Sequence, residues 1–416
     1  MAKLSVKDLD FGGKRVLMRV DFNVPLDNGK VADDSRIRAA LPTIRHILDA
    51  GASLTLMSHQ GRPKGKRNLE FSLKPAADRL AELLEQSVEF APDCVGTDVE
   101  QRAQSLQPGQ VLLLENLRFH PEEEGKPDLA KDASAEEKAS AQAEMKRRQE
   151  GFAKQLAALG DLYVNDAFGT AHRAHASTAV VTRFYEERVA GLLMRKELEY
   201  LGKALETPER PFTAVLGGAK ISGKIDVVMS LIEKVDTIIV GGGMVFTFYK
   251  AMGLPVGNSL VEEDKIGVAR DTLEKIREKG VRFLLPKDHV VADAFRNDAA
   301  VKTVGEKEIE EGWMALDIGP ESRRVFGEEI HRSKMVVWNG PMGCFEMASF
   351  AEGTMAMAQA IAETDCLSIV GGGDSVSAVN RSGRADRFTH ISTGGGASLE
   401  FLEGKPLPGV EALSEL

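Results

Sequence analysis

The sequence predicts an α/β protein with two parallel sheets, each flanked by helices. Three observations support this fold class. Short, nearly continuous apolar runs alternate with amphipathic stretches along the 416 residues, which is typical of strands buried on both faces of a parallel sheet. The length exceeds what one ordinary core accommodates, so two domains are expected. Several apolar runs end in glycine-rich turns, at the strand ends where such sheets bind ligands.

Apolar runs that are short and followed by turn residues are predicted to be strands. In chain order they are Arg15–Val20, Ser53–Met57, Val111–Leu114, Leu162–Val164, Thr213–Leu216, Thr237–Val240, Arg282–Leu285, Met335–Trp338 and Leu367–Val370. The stretches Arg36–Ala50 and Leu73–Glu85 have the apolar spacing of amphipathic helices. Asp128–Leu159 is rich in Ala, Glu, Lys and Gln and predicts a long, mostly exposed helix.

A domain boundary is predicted near the middle of the chain. Residues 189–205 have a helical pattern and run into the loop-forming sequence TPERP at 207–211. We therefore assign residues 1–188 to an N-terminal domain and residues 189–403 to a C-terminal domain that includes helix 189–205. Both halves alternate strands and helices as Rossmann-like domains do. The helix that joins them and the chain near His390 are the predicted hinge.

Amino-acid composition and charge make some classes of partner and compartment less favourable for this chain. The chain is 43% hydrophobic and 28% charged, with a formal net charge of −10, which disfavours nucleic acid and anionic membranes as partners. The three cysteines, Cys94, Cys344 and Cys366, lack metal-ligand spacing and predict free thiols in a reducing compartment. The sequence starts without an apolar signal region and has no stretch long enough to span a membrane. We therefore expect a globular cytoplasmic protein.

The C-terminal half carries five glycine-bearing strand ends, which together predict a polyphosphate ligand. Residues 216–224 read LGGAKISGK and residues 370–375 read VGGGDS. A strand that ends in glycines and opens a helix presents backbone N–H groups to anions. The segment GAKISGK is not a standard P-loop, because Ile225 stands where a magnesium-binding Ser or Thr is needed. Lys220 and Lys224 suit phosphate, although a tight turn with surface lysines also fits this segment.

Two carboxylates near these turns have both a functional and a structural interpretation. Asp374 could hold Mg²⁺ beside phosphate-binding amides, or it could cap the following helix. Glu346, which follows the turn WNGPMGCF at 338–345, could accept hydrogen bonds from ribose hydroxyls, or it could be a surface acid. The residues alone leave both pairs of alternatives open.

The N-terminal half carries a set of basic residues, most of them at strand ends. This anion set comprises Arg36, Arg62, Arg118, Arg173, His59 and His172. Guanidinium groups suit phosphate and carboxylate oxygens, and several at consecutive strand ends favour a small multi-anionic ligand over unrelated surface salt bridges. Asp21 and Asn23 could bind a substrate hydroxyl or only form the turn before Pro25. The acidic run Glu122–Glu124 is interpreted as solvated.

Nine stretches of the sequence resemble motifs of the phosphoglycerate kinase family. They occur in family order between about residue 4 and residue 408 and read RVDFNVP, SHQGRP, ENLRF, NDAFGTAHRAH, GGAKISGKI, GGGM, WNGPMG, GGGDS and STGGGASLE. The resemblance covers essentially the whole chain. It implies reversible phosphoryl transfer from 1,3-bisphosphoglycerate to MgADP, giving 3-phosphoglycerate and MgATP, in a cleft closed by hinge bending.

The resemblance also implies a role for each matching residue. The sugar acid would be held by Asp21, Phe22, Asn23, Arg36, His59, Gln60, Gly61, Arg62, Arg118 and Arg173. ADP or ATP would be held by Gly217, Gly218, Lys220, Lys224, Gly241, Gly242, Ala315, Asn339, Pro341, Glu346, Gly371, Gly372, Gly373, Asp374 and Ser375, with Asp374 as the Mg²⁺ ligand. Catalysis would fall to Arg36, Lys220, Gly373 and Gly396. A monomer is expected, with the tail from about 404 to 416 packed back on the N-terminal domain.

Three of these positions depart from the usual family pattern. Gln60 stands where Leu is common, Ser375 replaces a frequent Thr, and Ala315 stands where Gly is usual beside the adenine. Ser375 keeps the hydroxyl group. None of the three changes removes a charged group that the chemistry needs.

Two other functions are weighed against the kinase. A dehydrogenase would carry a G-x-G-x-x-G turn after its first strand, with an acid about 20 residues further on, but the first strand here ends in DFNVP. A non-catalytic nucleotide-binding scaffold would have lost a group that the chemistry needs. The charged residues required are all present, namely Arg36, Lys220, Lys224 and Asp374.

Overall fold

The computed structural model describes residues 3–130 and 132–416. The chain forms two compact units, which we call unit 1 (Met1–Leu198 with Pro406–Leu416) and unit 2 (Glu199–Lys405). The chain therefore leaves unit 1 near its middle and returns to it at the C-terminus.

Unit 1 is built around a parallel sheet. Its described strands are β1 (Arg15–Arg19), β2 (Leu26–Asp27), β3 (Lys30–Val31), β4 (Ser53–Met57), β5 (Val88–Phe90), β6 (Val111–Leu113), β7 (Leu162–Asn165) and β8 (Arg188–Ala190). Six of them pair in parallel in the order β5-β6-β4-β1-β7-β8, while β2 and β3 form a small antiparallel hairpin. Strands β4 and β7 are buried along their whole length, as expected for the interior of a parallel sheet.

The helices of unit 1 follow its strands along the chain. They are α1 (Ser35–Asp49), α2 (Lys74–Leu84), α3 (Thr97–Ser105), α4 (Pro121–Glu124), α5 (Ala135–Ala157) and the start of α6 (Leu192–Glu206). One face of α1 and α2 is apolar and joins the strands in a core that includes Ile37, Ile44 and Leu80. Helix α5 begins with a capping box, in which Ser134 and Glu137 satisfy each other's backbone N–H groups.

Unit 2 contains a second parallel sheet and a separate antiparallel one. Its strands are β9 (Phe212–Leu216), β10 (Thr237–Val240), β11 (Arg282–Leu284), β12 (Asp288–Ala292), β13 (Val301–Gly305), β14 (Met314–Ile318), β15 (Met335–Asn339), β16 (Leu367–Gly371) and β17 (His390–Ile391). The parallel sheet has the order β11-β10-β9-β15-β16-β17, and the antiparallel sheet has the order β13-β12-β14. The central strands β9, β10 and β15 are fully buried.

The helices of unit 2 complete its layers. They are α7 (Ile225–Leu231), α8 (Val245–Ala251), α9 (Ile266–Glu278), α10 (Pro320–Arg332), α11 (Glu352–Ala362), α12 (Gly373–Ser382) and α13 (Gly395–Leu402). Side chains of α10 and α11, such as Phe326 and Met357, pack with Trp338 of β15 in a buried core. Two parallel α/β units are thus confirmed as the fold class.

The C-terminal tail packs on unit 1. Its short helix α14 (Pro408–Glu411) is followed by Ser414, whose carbonyl accepts a hydrogen bond from the Leu4 N–H at 3.0 Å. The Gly409 N–H donates to the Ala171 carbonyl at 2.8 Å. These contacts join the two ends of the chain through the same unit.

Some predicted bounds differ from the structure. The helix expected over 189–205 begins only at Leu192, because Arg188–Ala190 pairs with β7 as an edge strand. The helix expected over 128–159 spans Ala135–Ala157. The antiparallel sheet of unit 2 and the edge strand β5 were not predicted. In the described part of the chain, every helix is too short or too polar to cross a bilayer.

Candidate functional site

Unit 1 holds a basic site at the carboxyl ends of β1, β4, β6 and β7. The chain order reverses around β1, since β4 lies on one side of it and β7 on the other. Ligand sites in open α/β sheets lie at such switch points. The predicted anion-binding residues Asn23, His59, Arg62 and Arg118 all follow these strands in the chain.

Asp21, Asn23 and Arg36, three of the predicted substrate-binding residues, form one hydrogen-bonded group. The Nη1 of Arg36 donates to the Asn23 carbonyl at 2.9 Å and to Asp21 Oδ1 at 3.3 Å. The side chain of Arg36 keeps 36% of its surface exposed, so it is held in place yet accessible. Asn23 Oδ1 accepts from the Gly61 N–H at 2.9 Å, which ties the loop after β1 to the loop after β4.

Arg118 is the most buried of the predicted arginines. Its Nη1 donates to the Gly61 carbonyl at 2.9 Å. Its Nε is buried without a hydrogen-bond partner and lies 3.7 Å from Glu124 Oε1. Burial lowers the pKa of Arg118 from its ordinary value, with the neighbouring Arg19 adding to the effect and Glu124 opposing it. An N–H donor without a partner on a half-buried cation suits an incoming anion.

Other predicted residues serve the backbone or lie on the surface. The Gln60 side chain makes two hydrogen bonds to the Val24 backbone, at 3.1 and 2.7 Å. Phe22 is fully buried, so its side chain belongs to the core. Arg62 and Arg173 are exposed, and His172 is partly exposed.

Sequence reasoning missed two buried charges under this site. Arg19, the last residue of β1, and Glu123, on α4, are both fully buried. The interpretation of Glu122–Glu124 as a solvated run is therefore wrong for Glu123. A charged residue that ends the apolar run RVLMR could have indicated that Arg19 is buried. Nothing in the acidic run at 122–124 indicates which of its glutamates is buried.

Unit 2 holds a second site where β9, β10, β15 and β16 end in glycine turns. The turns after β9 and β15 touch backbone to backbone. A Cβ atom on Gly217 would lie 2.0 Å from the Pro341 carbonyl oxygen, and one on Gly340 would lie 2.1 Å from the Gly217 oxygen. Gly340 also has a φ of 101°, so both positions require glycine.

Two further glycines leave open space instead of close contacts. A Cβ on Gly373 would meet nothing within 4 Å, and one on Gly218 would meet only Lys224 Cε at 3.9 Å. Gly373 is the first residue of α12, a helix N-terminus whose free N–H groups attract anions. The start of α13 lies beside it, since a Cβ on Gly395 would lie 3.2 Å from Gly372 Cα. The predicted Gly396 is the second residue of α13.

Lys224 is held at this site by Asn339. Its Nζ donates to Asn339 Oδ1, while Asn339 Nδ2 is buried without a hydrogen-bond partner. Burial lowers the pKa of Lys224 to about 8, although the charges of Asp374 and Glu403 oppose the shift. Lys220, four residues earlier, is exposed. The unpaired amide of Asn339 and the Lys224 amine form a donor set suited to phosphate oxygens.

A cavity of about 690 Å³ adjoins these turns. It is lined by six of the predicted residues, Gly218, Gly242, Ala315, Pro341, Glu346 and Asp374. Its remaining wall is mostly apolar and includes Leu260, Phe295 and Met342, which sequence reasoning missed because isolated apolar residues carry no local signal. A polar end beside an apolar wall suits a nucleotide, with phosphates at the turns and the base against the wall.

Two predicted residues have positions that refine their expected roles. Ser375 is fully buried, and its Oγ accepts from the Gly340 N–H at 2.6 Å, so this hydroxyl joins two of the glycine turns. Asp374 is exposed in the first turn of α12 and lines the cavity. The N-cap residue of that helix is Gly372 rather than Asp374, and an exposed carboxylate beside the phosphate turns suits a divalent cation.

A cavity that suits a nucleotide in one α/β unit and arginines that suit a second anion in the other fit the class of nucleotide-dependent phosphotransferases. Comparisons with known proteins support this class. The family model described as phosphoglycerate kinase matches residues 6–405. The phosphoglycerate kinases of Chloroherpeton thalassium and Moorella thermoacetica are 57% and 55% identical, each over 100% of both chains.

Solved structures give the same result. The phosphoglycerate kinase from Coxiella burnetii superposes with a TM-score of 0.84 at 38% identity, covering 99% of this chain and 98% of that one. The enzyme from Pyrococcus horikoshii superposes with a TM-score of 0.78 at 30% identity and the same coverage. The chain therefore belongs to the phosphoglycerate kinase family and is an enzyme.

Proposed function

We propose that the protein transfers a phosphoryl group reversibly from 1,3-bisphosphoglycerate to MgADP, giving 3-phosphoglycerate and MgATP. This reaction serves glycolysis, gluconeogenesis or the reductive pentose phosphate cycle. The proposal rests on one observation, namely that the two units have candidate anion sites built from different kinds of residue. Arg36 and Arg118 are fixed by backbone carbonyls in unit 1, and glycine turns next to Lys224 line the cavity of unit 2.

The sugar acid binds to the basic site of unit 1. Arg36, Arg118, Arg62 and Arg173 supply fixed positive charge, since guanidinium groups stay protonated at all relevant pH values. Arg36 and Arg118 are anchored by backbone carbonyls at 2.9 Å, which reduces the entropy lost when the ligand binds. Asp21 and Asn23 lie within the same group and can hydrogen-bond the substrate hydroxyl.

The nucleotide binds in the cavity of unit 2. Phosphates contact the turns that carry Gly218 and Gly373, where open space adjoins free N–H groups. Lys224 contacts the same phosphates, and Glu346 is available to the ribose hydroxyls. The base lies against the apolar wall, next to Ala315.

Asp374 holds the Mg²⁺ that accompanies ADP or ATP. A bound Mg²⁺ neutralises charge on the phosphate oxygens and fixes their geometry. Such an ion usually keeps several water ligands and uses one or two carboxylates, so a single exposed aspartate beside phosphates is a sufficient protein contribution.

The chemistry needs positioning and charge rather than a general base. In the direction of ATP use the attacking group is the carboxylate of 3-phosphoglycerate, which is ionised at neutral pH because carboxylic acids have a reference pKa near ~4. Phosphoryl transfer is in line and loose, so catalysis consists of alignment and neutralisation of charge. Lys220, Arg36 and the N-termini of α12 and α13, which include Gly373 and Gly396, supply the positive field.

The proposal includes closure about the helix α6. The two substrates bind to different units, so transfer requires that the bound ligands meet. Closure would also exclude water, which otherwise hydrolyses the acyl phosphate. We further propose that the protein acts as a cytoplasmic monomer, without nucleic-acid or membrane partners.

A coupled assay tests the proposed reaction directly. ADP release from ATP should depend strictly on 3-phosphoglycerate and should stop when EDTA removes Mg²⁺. NADH should neither be consumed by the protein alone nor bind to it. ATP turnover that does not respond to 3-phosphoglycerate would contradict the proposal.

A further inference from the structure

A buried polar network lies behind the basic site of unit 1. Glu123, Ser177 and Arg19 are all fully buried. Glu123 Oε1 accepts from the Ser177 hydroxyl at 2.6 Å, and Oε2 accepts from the Ser177 N–H at 3.0 Å. Arg19 Nη2 lies 3.9 Å from Glu123 Oε1. The carboxylate is therefore the counter-charge of a guanidinium that has no access to water.

Ser177 lies between the two charged groups, and its hydroxyl donates a hydrogen bond to one and accepts a hydrogen bond from the other. Its hydroxyl proton is given to Glu123, so its oxygen is free to accept from Arg19 Nε, at 2.8 Å. The Tyr163 hydroxyl donates to the Ser177 carbonyl at 2.8 Å and fixes the backbone at this point. Arg19 is thus held at its Nε and, on the other side, at Nη1, which donates to the Val20 carbonyl.

The remaining nitrogen of Arg19 faces His59. Arg19 Nη2 and His59 Nδ1 are 3.2 Å apart. A guanidinium has donors and no acceptor, so Nδ1 must accept and cannot carry a proton. His59 is then a neutral imidazole with its proton on Nε2, which is the nitrogen left to donate to a ligand.

We propose that Glu123 is a positioning residue for the sugar-acid site: through Ser177 and Arg19 it fixes His59 as the neutral Nε2–H tautomer. The role rests on the proposed function, since the family resemblance implies that His59 is one of the groups that hold 3-phosphoglycerate. His59 acts on the substrate as an oriented hydrogen-bond donor, whereas the arginines provide the positive charge.

The electrostatics of the buried groups agree with this arrangement. Burial and the surrounding cations Arg19, Arg118 and Arg36 hold the pKa of His59 well below its ordinary value. Burial alone would raise the pKa of Glu123, but His175, Arg19 and Ser177 outweigh it and lower the pKa to about 2. Both groups therefore keep the ionisation states that the network needs at neutral pH.

Nitrogen NMR of the ligand-free wild-type enzyme gives the first test. Labelling histidines with ¹⁵N and assigning His59 by loss of its signals in His59→Asn reveals which ring nitrogen carries the proton. We expect an unprotonated Nδ1 and a protonated Nε2 at pH 7. An Nδ1–H tautomer or an imidazolium would overturn the proposal without any variant of Glu123 having to fold.

A matched pair of variants gives the second test. Glu123→Gln removes the buried charge with little change of shape, and Glu122→Gln removes one charge from the same helix where the carboxylate instead faces Arg148. Misplacing a binding group by about 1 Å can cost ~10²-fold, so we expect Glu123→Gln to weaken 3-phosphoglycerate binding about 10-fold to 100-fold. Without the carboxylate, Arg19 is no longer held against His59 Nδ1, so His59 should populate both tautomers, while MgADP binding stays within about twofold.

Three outcomes separate the possibilities. A folded Glu123→Gln enzyme that binds 3-phosphoglycerate as Glu122→Gln does would overturn the positioning role. Equal losses for 3-phosphoglycerate and MgADP would indicate general damage and would also overturn it. If wild-type enzyme shows no 3-phosphoglycerate-dependent turnover, the proposed function fails, but the tautomer of His59 in ligand-free protein still tests the network itself.

Discussion

Lys220 and Lys224 lie in one turn but have different surroundings. Lys224 is mostly buried and donates to Asn339, whereas Lys220 is exposed. A lysine that is already oriented contributes to nucleotide binding before and after transfer. An exposed lysine gives up few contacts when its amine turns toward negative charge that develops only in the transition state. We therefore propose that Lys220 has the catalytic effect.

Lys220→Ala should lower kcat by about 10²–10³-fold, the usual cost of losing one preorganised charge. Binding of 3-phosphoglycerate, measured by calorimetry, should stay nearly unchanged because we propose that unit 1 holds that ligand. Lys279→Ala, an exposed lysine paired with Glu233 in the same unit, is the control. Turnover close to normal in Lys220→Ala would remove this residue from the mechanism.

Nucleotide binding should depend on pH through Lys224. Its pKa of about 8 in the free protein means that part of the population is neutral at pH 8, and bound phosphate favours the charged form. MgADP affinity should therefore fall between pH 7 and pH 9, and binding at pH 8 should take up a fraction of a proton. Calorimetry in buffers of different ionisation enthalpy measures this uptake.

Lys224→Arg is the control for this effect, because arginine stays charged over the whole range. Its binding enthalpy at pH 8 should not vary with the buffer. A wild-type enthalpy that is equally independent of buffer would contradict the assigned titration.

Candidate site residues could be predicted from the sequence where neighbouring residues in the chain indicate their role. The glycine turns, Lys220, Lys224 and Asp374 are recognisable because glycine, charge and strand end occur together. Arg19 and Glu123 could not be paired in advance, because their shared partner Ser177 is more than fifty residues from Glu123 in the chain. Burial of a charge depends on tertiary partners, which local sequence does not reveal.

At the scale of elements, the start of α6 depends on one buried carboxylate. Asp166 follows β7 and is fully buried, and its Oδ1 accepts from the Met194 N–H in the first turn of α6 at 3.0 Å. Thr43 accepts from the Leu192 N–H at 2.9 Å. Burial raises the pKa of Asp166 to about 6 despite hydrogen bonds from Thr43, Met194 and Leu193.

This shift has a defined sign for stability. The folded-state pKa of Asp166 lies above the unfolded value of 3.8, so the folded state gains a proton first as pH falls. The contribution of Asp166 to the free energy of unfolding is fully present below about pH 4 and is lost as pH rises through 6. Relative to Asp166→Asn, the wild-type free energy of unfolding should rise by up to about 3 kcal/mol from pH 8 to pH 4.

Urea unfolding followed by far-ultraviolet circular dichroism measures the free energy of unfolding of both proteins. Taking the difference between them cancels the titration of the groups that both proteins share. Asp49→Asn, on the exposed face of α1, serves as the control substitution. A difference between wild type and Asp166→Asn that does not change with pH would show that Asp166 keeps an ordinary pKa.

Long elements were easier to predict than short ones. The strands β1, β4, β9 and β15 carry continuous apolar runs, and α1 and α2 carry helical spacing, so their local pattern matches their environment. β13 mixes exposed and half-buried residues, and β5 has only three residues, of which one is exposed and two are half-buried. Strands of this kind are specified by pairing with neighbours rather than by their own sequence.

At the scale of the whole molecule, each unit repeats one plan with different residues at its strand ends. Both are parallel sheets whose chain order reverses at a central strand, β1 in unit 1 and β9 in unit 2. Unit 1 places arginines and histidines at that edge, and unit 2 places glycines and lysines there. The family and the similarity to solved structures establish the activity as that of a two-substrate kinase, so a phosphoryl group must pass from one substrate to the other.

Closure on binding both substrates should therefore be measurable in solution. Small-angle X-ray scattering should show a smaller radius of gyration with 3-phosphoglycerate and a non-hydrolysable MgATP analogue together than with either ligand alone, because only the ternary complex can form contacts that span both ligands. The single-ligand samples are the controls for effects of binding within one unit. If the radius with both ligands equals that of the free protein, transfer cannot depend on domain closure, and the proposed hinge at α6 would have to be abandoned.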